Sequence, residues 1–169
     1  MEKVYDFVGF TTVKYFFDTE FIEYPCTIDL ISIGIVSEFG DREFYAESNE
    51  ADWSKAHPWV LENVKPHLTG PQMTRDEIAK GIDEFILGGT PEFWSYYADY
   101  DWVVFCWLFG GMTDLPRRFP HLCLDLQQLA RSKKAGYMPD IVQQESTQHN
   151  ALADARWHRD VYQHLTGAE

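Results

Sequence analysis

At 169 residues, 45% hydrophobic and 16% aromatic, the chain is long enough for one packed domain and too apolar to be disordered. A net charge of −13 excludes a broad electrostatic grip on a duplex, although an acidic cleft loaded with cations can still hold a nucleic-acid end. No apolar run approaches the roughly 20 residues of a membrane span. No basic segment followed by a long apolar one marks a secretory signal, and Cys26, Cys106 and Cys123 lack C-x-x-C spacing and read as reduced, buried thiols of a cytoplasmic protein.

Residues 1–12 read as an extension ahead of a single domain over 13–169. Val13 to Phe21 has strand character. Ile28-Asp29-Leu30-Ile31-Ser32-Ile33-Gly34-Ile35-Val36 is β-branched and mostly apolar, the pattern of a buried central strand. Phe39-Gly40-Asp41-Arg42 supplies a turn and Glu43 to Ala46 a returning strand, so these three form an antiparallel meander. A helical stretch follows from Asp52 to Asn63, with Pro66 just beyond it. Thr74, with Glu77 three residues on, has the form of a capping box; it opens a helix towards Leu87 that Gly88-Gly89 ends. Phe93 to Tyr97 is an aromatic strand, and Asp101 opens an apolar helix to Leu108. His121 to Leu124 predicts a short strand, Asp125 towards Lys134 a helix, Gly136 to Gln148 a polar, mobile loop, and Asn150 to Leu165 a last helix. This order predicts an α/β fold of three layers, a mixed five-stranded sheet flanked by helices. Half of the 14 Lys and Arg residues lie between Arg117 and Arg159, which fits solvated helix faces better than a basic rim.

Phe17-Asp18-Thr19-Glu20-Phe21 places two carboxylates at i and i+2 on an apolar strand, so both emerge on one face. Burying them together is costly unless something positive lies between, and a divalent cation is the simplest partner. Solvated acids on an edge strand are the plain alternative, which the flanking Phe16, Phe17, Phe21 and Ile22 disfavour. His149-Asn150-Ala151-Leu152-Ala153-Asp154 sets a histidine just before the last helix and a carboxylate in its first turns. Both can face the strand of Asp18, and an imidazole titrating near neutrality suits deprotonation of a water. Asp101 alone reads first as a helix cap. Asp99 competes with it, and Asp101 is preferred because Trp102 to Leu108 anchor it in the core. Together these residues point to metal-dependent cleavage of phosphodiester bonds. Oxygen donors without Cys or His clusters favour magnesium, with manganese as a substitute, over zinc.

The order Asp-x-Glu, a mid-chain Tyr100-Asp101, then His149-x4-Asp154 resembles the DEDDh group of 3′-to-5′ exonucleases, which have the ribonuclease H-like fold. Phe17 to Glu23, Ile28 to Gly34, Gly111-Met112-Thr113-Asp114-Leu115-Pro116 and His149 to Arg156 bring the likeness closer, to the polyadenylate-specific exoribonuclease AS type, over roughly Val13 to Leu165. The resemblance implies that Asp18, Glu20, Asp101 and Asp154 hold two magnesium ions and that His149 is the general base. It also implies a single-stranded RNA 3′ end as substrate, a nucleoside 5′-monophosphate as product, a preference for adenine and a homodimer. In that chemistry two ions about 4 Å apart serve the attacking water and the leaving oxygen. Terminal nucleotides of single strands are held by stacking, for which Phe21, Ile22 and Trp102, beside the acids, are the candidates. Two rival readings remain. A proofreading or repair DNA exonuclease would use the same acids; a binding module without catalysis is disfavoured because Asp18, Glu20, Asp101, His149 and Asp154 are all present.

Overall fold

The computed structural model describes residues 12–144 and 148–168, so the expected extension lies outside them except for Thr12. Strands β1 (Val13–Tyr24), β2 (Thr27–Ser37) and β3 (Glu43–Ser48) form the expected antiparallel meander. Two further strands, β5 (Pro91–Ser95) and β6 (Cys123–Asp125), extend the sheet in parallel beside β1. Among the described residues the sheet has six strands where five were expected. The addition is β4 (Gln72–Met73), a two-residue strand that pairs with Glu47 and Ser48. Two residues carry no readable alternation, and only their tertiary partner makes them a strand. The order is β4-β3-β2-β1-β5-β6.

Alternate residues of a strand point to opposite faces, and here both faces are apolar. Tyr15, Phe17, Ile33, Ile35 and Phe93 pack against α2 (Arg75–Phe85) and α3 (Asp99–Leu108). Phe16 and Trp94 pack instead against α4 (Leu126–Ser132), α5 (Met138–Ile141) and α6 (Ala151–Thr166). The three-layer expectation holds. No helix among the described residues is long and apolar enough to cross a membrane.

Local chemistry moves several boundaries. The stretch from Asp52 to Asn63 is broken into a 3-10 turn at Trp53–Lys55 and a short helix, α1 (Pro58–Asn63), because Pro58 has no amide to donate and sits at a helix start. The capping box at Thr74 and Glu77 forms reciprocally, as read. β5 stops at Ser95, short of Tyr97, whose left-handed backbone (φ 57°) is incompatible with a strand. α3 begins at Asp99, so Asp101 is inside the first turn and does not cap it. The polar loop from Gly136 contains α5, seated by a fully buried Met138; residues 145–147 lie outside the described ones. All three cysteines are free, but only Cys106 is buried; Cys26 is exposed because it makes the tight turn between β1 and β2 at φ 62°.

Candidate active site

β1 outruns β5, and the site lies where the pairing stops. The two strands pair only as far as Phe16 and Trp94. Beyond that point the edge of β1 that faces β5 has lost its strand partner, and its backbone groups must find others. They find side chains. Phe17 O faces Nδ1 of His158 at 2.9 Å, and Thr19 N donates to Asp101 Oδ1 at 3.0 Å, with Thr19 Oγ1 donating to the same oxygen at 2.5 Å. On its other edge β1 stays paired, Asp18 opposite Gly34 and Glu20 opposite Ser32, before the register shifts past Glu20.

Asp18 and Glu20 point to the α6 side of the sheet. The N-terminus of α6 reaches them because β2 carries glycine at the crossing: a Cβ on Gly34 would lie 2.4 Å from Leu152 Cα. Asn150 caps the helix, its Oδ1 accepting from Ala153 N at 3.1 Å. Its amide also reaches Tyr45 Oη and His67 O, each at 3.4 Å. Tyr45 in turn donates to the buried Glu47 at 2.9 Å. This network fixes the turn on which His149 stands at φ 62°.

Asp18, Glu20 and Asp154 can each offer a carboxylate oxygen within 4.8 Å of the others. Asp101 lies outside that trio but shares its cleft of about 440 Å3, together with Phe21, Tyr96, His149 and His158. Burial raises every carboxyl here, and repulsion from neighbouring carboxylates adds to it at Asp18, Glu20 and Asp101. Asp18 is held well above its ordinary value, by burial first and then by Asp101, Asp154 and Glu20. Burial, then Asp154 and Asp101, lifts Glu20 to about 8. Asp101 is lifted by burial to about 6, moderated by its bonds from Thr19, and Asp154 is raised by burial against a bond from Gln144. Such a group is costly as four anions and is stabilised by a cation.

The five acid and histidine positions anticipated from sequence thus meet in one cleft. Of the anticipated wall only one residue joins them. Phe21 lines the cleft. Ile22 is fully buried with Ile31 and Val64, while Trp102 stacks on Phe105 at 5.1 Å between Phe17 and Phe93. Ile22 and the partly buried Trp102 pack against the core, and neither lines the cleft. Two side chains enter unannounced. Trp59, 46% exposed, meets the His149 ring edge to face at 4.8 Å and lines a hollow of about 500 Å3 with Glu20, Phe21 and His57. His158 lies with Nε2 3.8 Å from Asp18 Oδ1; burial lowers it to about 4, so it is neutral. No local pattern in the sequence marks either residue.

A family model described as the 3′-5′ exoribonuclease Rv2179c-like domain matches residues 13–166. The chain belongs to this family. It is 41% identical over 151 residues to the Mycobacterium tuberculosis protein called 3′-5′ exoribonuclease Rv2179c, covering 85% of this chain and 88% of that one. Its fold is that of ribonuclease H-like exonucleases. The zinc-bound E. coli ExoI–ssDNA complex superposes with a TM-score of 0.71 at 13% identity, over 93% of this chain and 41% of that one. S. pombe Pop2p, in its Mg2+- and Mn2+-bound form, gives 0.57 at 14% identity, over 92% and 83%.

Proposed function

We propose that this member of the Rv2179c-like family is a hydrolase, a metal-dependent 3′-to-5′ exoribonuclease that removes nucleoside 5′-monophosphates from single-stranded RNA 3′ ends, with adenylate tracts preferred. The observation that carries the reading is the convergence of Asp18, Glu20 and Asp154 within 4.8 Å at an open cleft, in a chain with an exoribonuclease-named relative at 41% identity. The site fits a hard divalent cation: its donors are carboxylate oxygens, and burial makes their joint ionisation depend on a positive partner. Asp18, Glu20, Asp101 and Asp154 would hold two magnesium ions, with manganese able to substitute. When bound, such ions make water a nucleophile at neutral pH and steady the departing 3′-oxygen.

The remaining work falls to the chain itself. A ring nitrogen of His149 takes the proton of the attacking water; this partly buried imidazole lines the cleft, whereas His158 is sealed against Phe17 O. Asp101 is oriented by two bonds to one oxygen, which leaves its other oxygen for the cation. Phe21 and the rings beside it offer an apolar face to the terminal base. One domain over 13–169 carries all of this, in the cytoplasm. A homodimer is supported by the exposed Tyr100, Val103 and Trp107, one face of α3. Digesting matched ribo- and deoxyribo-oligomers and identifying the product by mass tests the reading. Release of ribonucleoside 5′-monophosphates from RNA alone supports it, and preferred cleavage of DNA moves the protein to the repair class.

A further inference from the structure

The cleft continues past the acids. Tyr97 lines it and also lines a second hollow of about 230 Å3, bounded by Asp99, Asp125, Gln127, Gln128 and Arg131. Tyr97 is 54% exposed and holds left-handed backbone at φ 57°. A bulky residue in that conformation with its ring in solvent is strained without compensating burial, a combination that marks contact surfaces. Its ring packs edge to face on Tyr96 at 4.7 Å, and Tyr96 is tied to Gln127 by a 2.8 Å hydrogen bond. The aromatic pair is therefore braced against α4.

α4 rises about 1.5 Å per residue, so Arg131 stands about 9 Å along it from Asp125. Lys133 and Lys134 follow directly. In a chain of net charge −13, none of these three exposed cations has an ion-pair partner among the described residues. The two acids of the hollow differ. Both oxygens of Asp125 accept from backbone amides, Ala98 N at 2.9 Å and Gln128 N at 2.7 Å. Asp99 is exposed beside Tyr97 and repels a phosphate there. Ring and acid together suit a base, which stacks and presents amine donors, while phosphate falls to the cations farther along.

We propose that the hollow between Tyr97 and Arg131 holds the nucleotides on the 5′ side of the terminal one, base on Tyr97 and backbone on Arg131, Lys133 and Lys134. This rests on the exoribonuclease reading above and adds a length preference to it. The test is steady-state hydrolysis of 5′-labelled oligoadenylates of two to eight nucleotides in magnesium. The wild type gains roughly tenfold in kcat/KM from the shortest to the longest, mainly through KM. The double substitution Arg131→Glu with Lys133→Glu removes most of that gain and weakens the salt dependence of the long substrate; Tyr97→Ala removes part of the gain. Identical length dependence in wild type and double variant overturns the groove and leaves the exoribonuclease reading standing. No hydrolysis of any length by the wild type overturns both. Sedimentation of the double variant checks for a protein occupant: lost self-association with unchanged length dependence overturns the proposal in favour of a contact between copies.

Discussion

Replacing Gly34 by alanine tests whether the closeness of α6 to β2 builds the acid cluster. The new methyl would lie 2.4 Å from Leu152 Cα and N, and 2.5 Å from Ala151 C. All three are backbone atoms, so no side-chain rotation relieves the clash. Reaching ordinary contact requires the helix and strand to part by about 1 Å, and overpacking of this kind costs about 1–3 kcal/mol. The functional cost is larger than the structural one. Asp18 is the strand neighbour of Gly34, and Asp154 is two residues beyond Leu152. The substitution therefore pulls apart the trio that now meets within 4.8 Å. A misplacement of that size costs about 10²-fold in rate. Urea unfolding gives the stability loss, circular dichroism checks the fold, and magnesium-dependent hydrolysis gives kcat. A folded Gly34→Ala protein with unchanged kcat and unchanged magnesium stabilisation would refute the role given to this contact.

Asp18→Asn removes a carboxyl that the metal-free fold must either keep protonated or ionise against its neighbours, so it raises the metal-free Tm at neutral pH while lowering activity by about 10²–10³-fold or more; a fall in both quantities would contradict the electrostatic account. The pH dependence follows from the raised carboxyls. Without metal the folded state keeps protons that the unfolded chain releases above its ordinary values of 4.5 for Glu20 and 3.8 for Asp101. That stability is complete below those values and is lost as pH rises through about 6 for Asp101 and about 8 for Glu20. The magnesium-induced gain in Tm therefore grows with pH across this window, a difference in which the cost of protonating buried His158 at acid pH largely cancels; a gain independent of pH in differential scanning fluorimetry would count against it. Trp59→Ala frees the His149 ring. The about 0.5–1.5 kcal/mol of an aromatic pair predicts a kcat loss of roughly twofold to tenfold with little change in Tm, and an unchanged kcat would remove Trp59 from the positioning of His149.

Much of the site was legible because its signals are local. Asp18 and Glu20 declare themselves by strand alternation in an apolar run, and His149 and Asp154 by spacing at a capped helix start. Asp101 lies in the cleft as expected, but as a residue inside a first turn, bonded by Thr19 and not capping its own helix end. The expected wall of Phe21, Ile22 and Trp102 shows what adjacency along a chain leaves open. Trp102 follows Asp101, yet one helical step turns it about 100° into the aromatic core. Ile22 shares the face of Glu20 and is roofed by Val64, which follows α1. Phe21 reaches the cleft just where the β1–β2 register shifts. His158 and Trp59 owe their positions to events far away in sequence, the early end of β5 and the fold-over of the broken helical stretch. β4 was unreadable for the same reason, being a strand only because β3 lies beside it.

The most direct test of the central claim is digestion of a 5′-labelled oligoribonucleotide in magnesium, with the metal-chelated enzyme and the Asp18→Asn protein alongside. The account predicts a ladder shortening one nucleotide at a time from the 3′ end, absent with chelator and nearly absent in the variant. Internal cuts, or equal cleavage by wild type and variant, would contradict it.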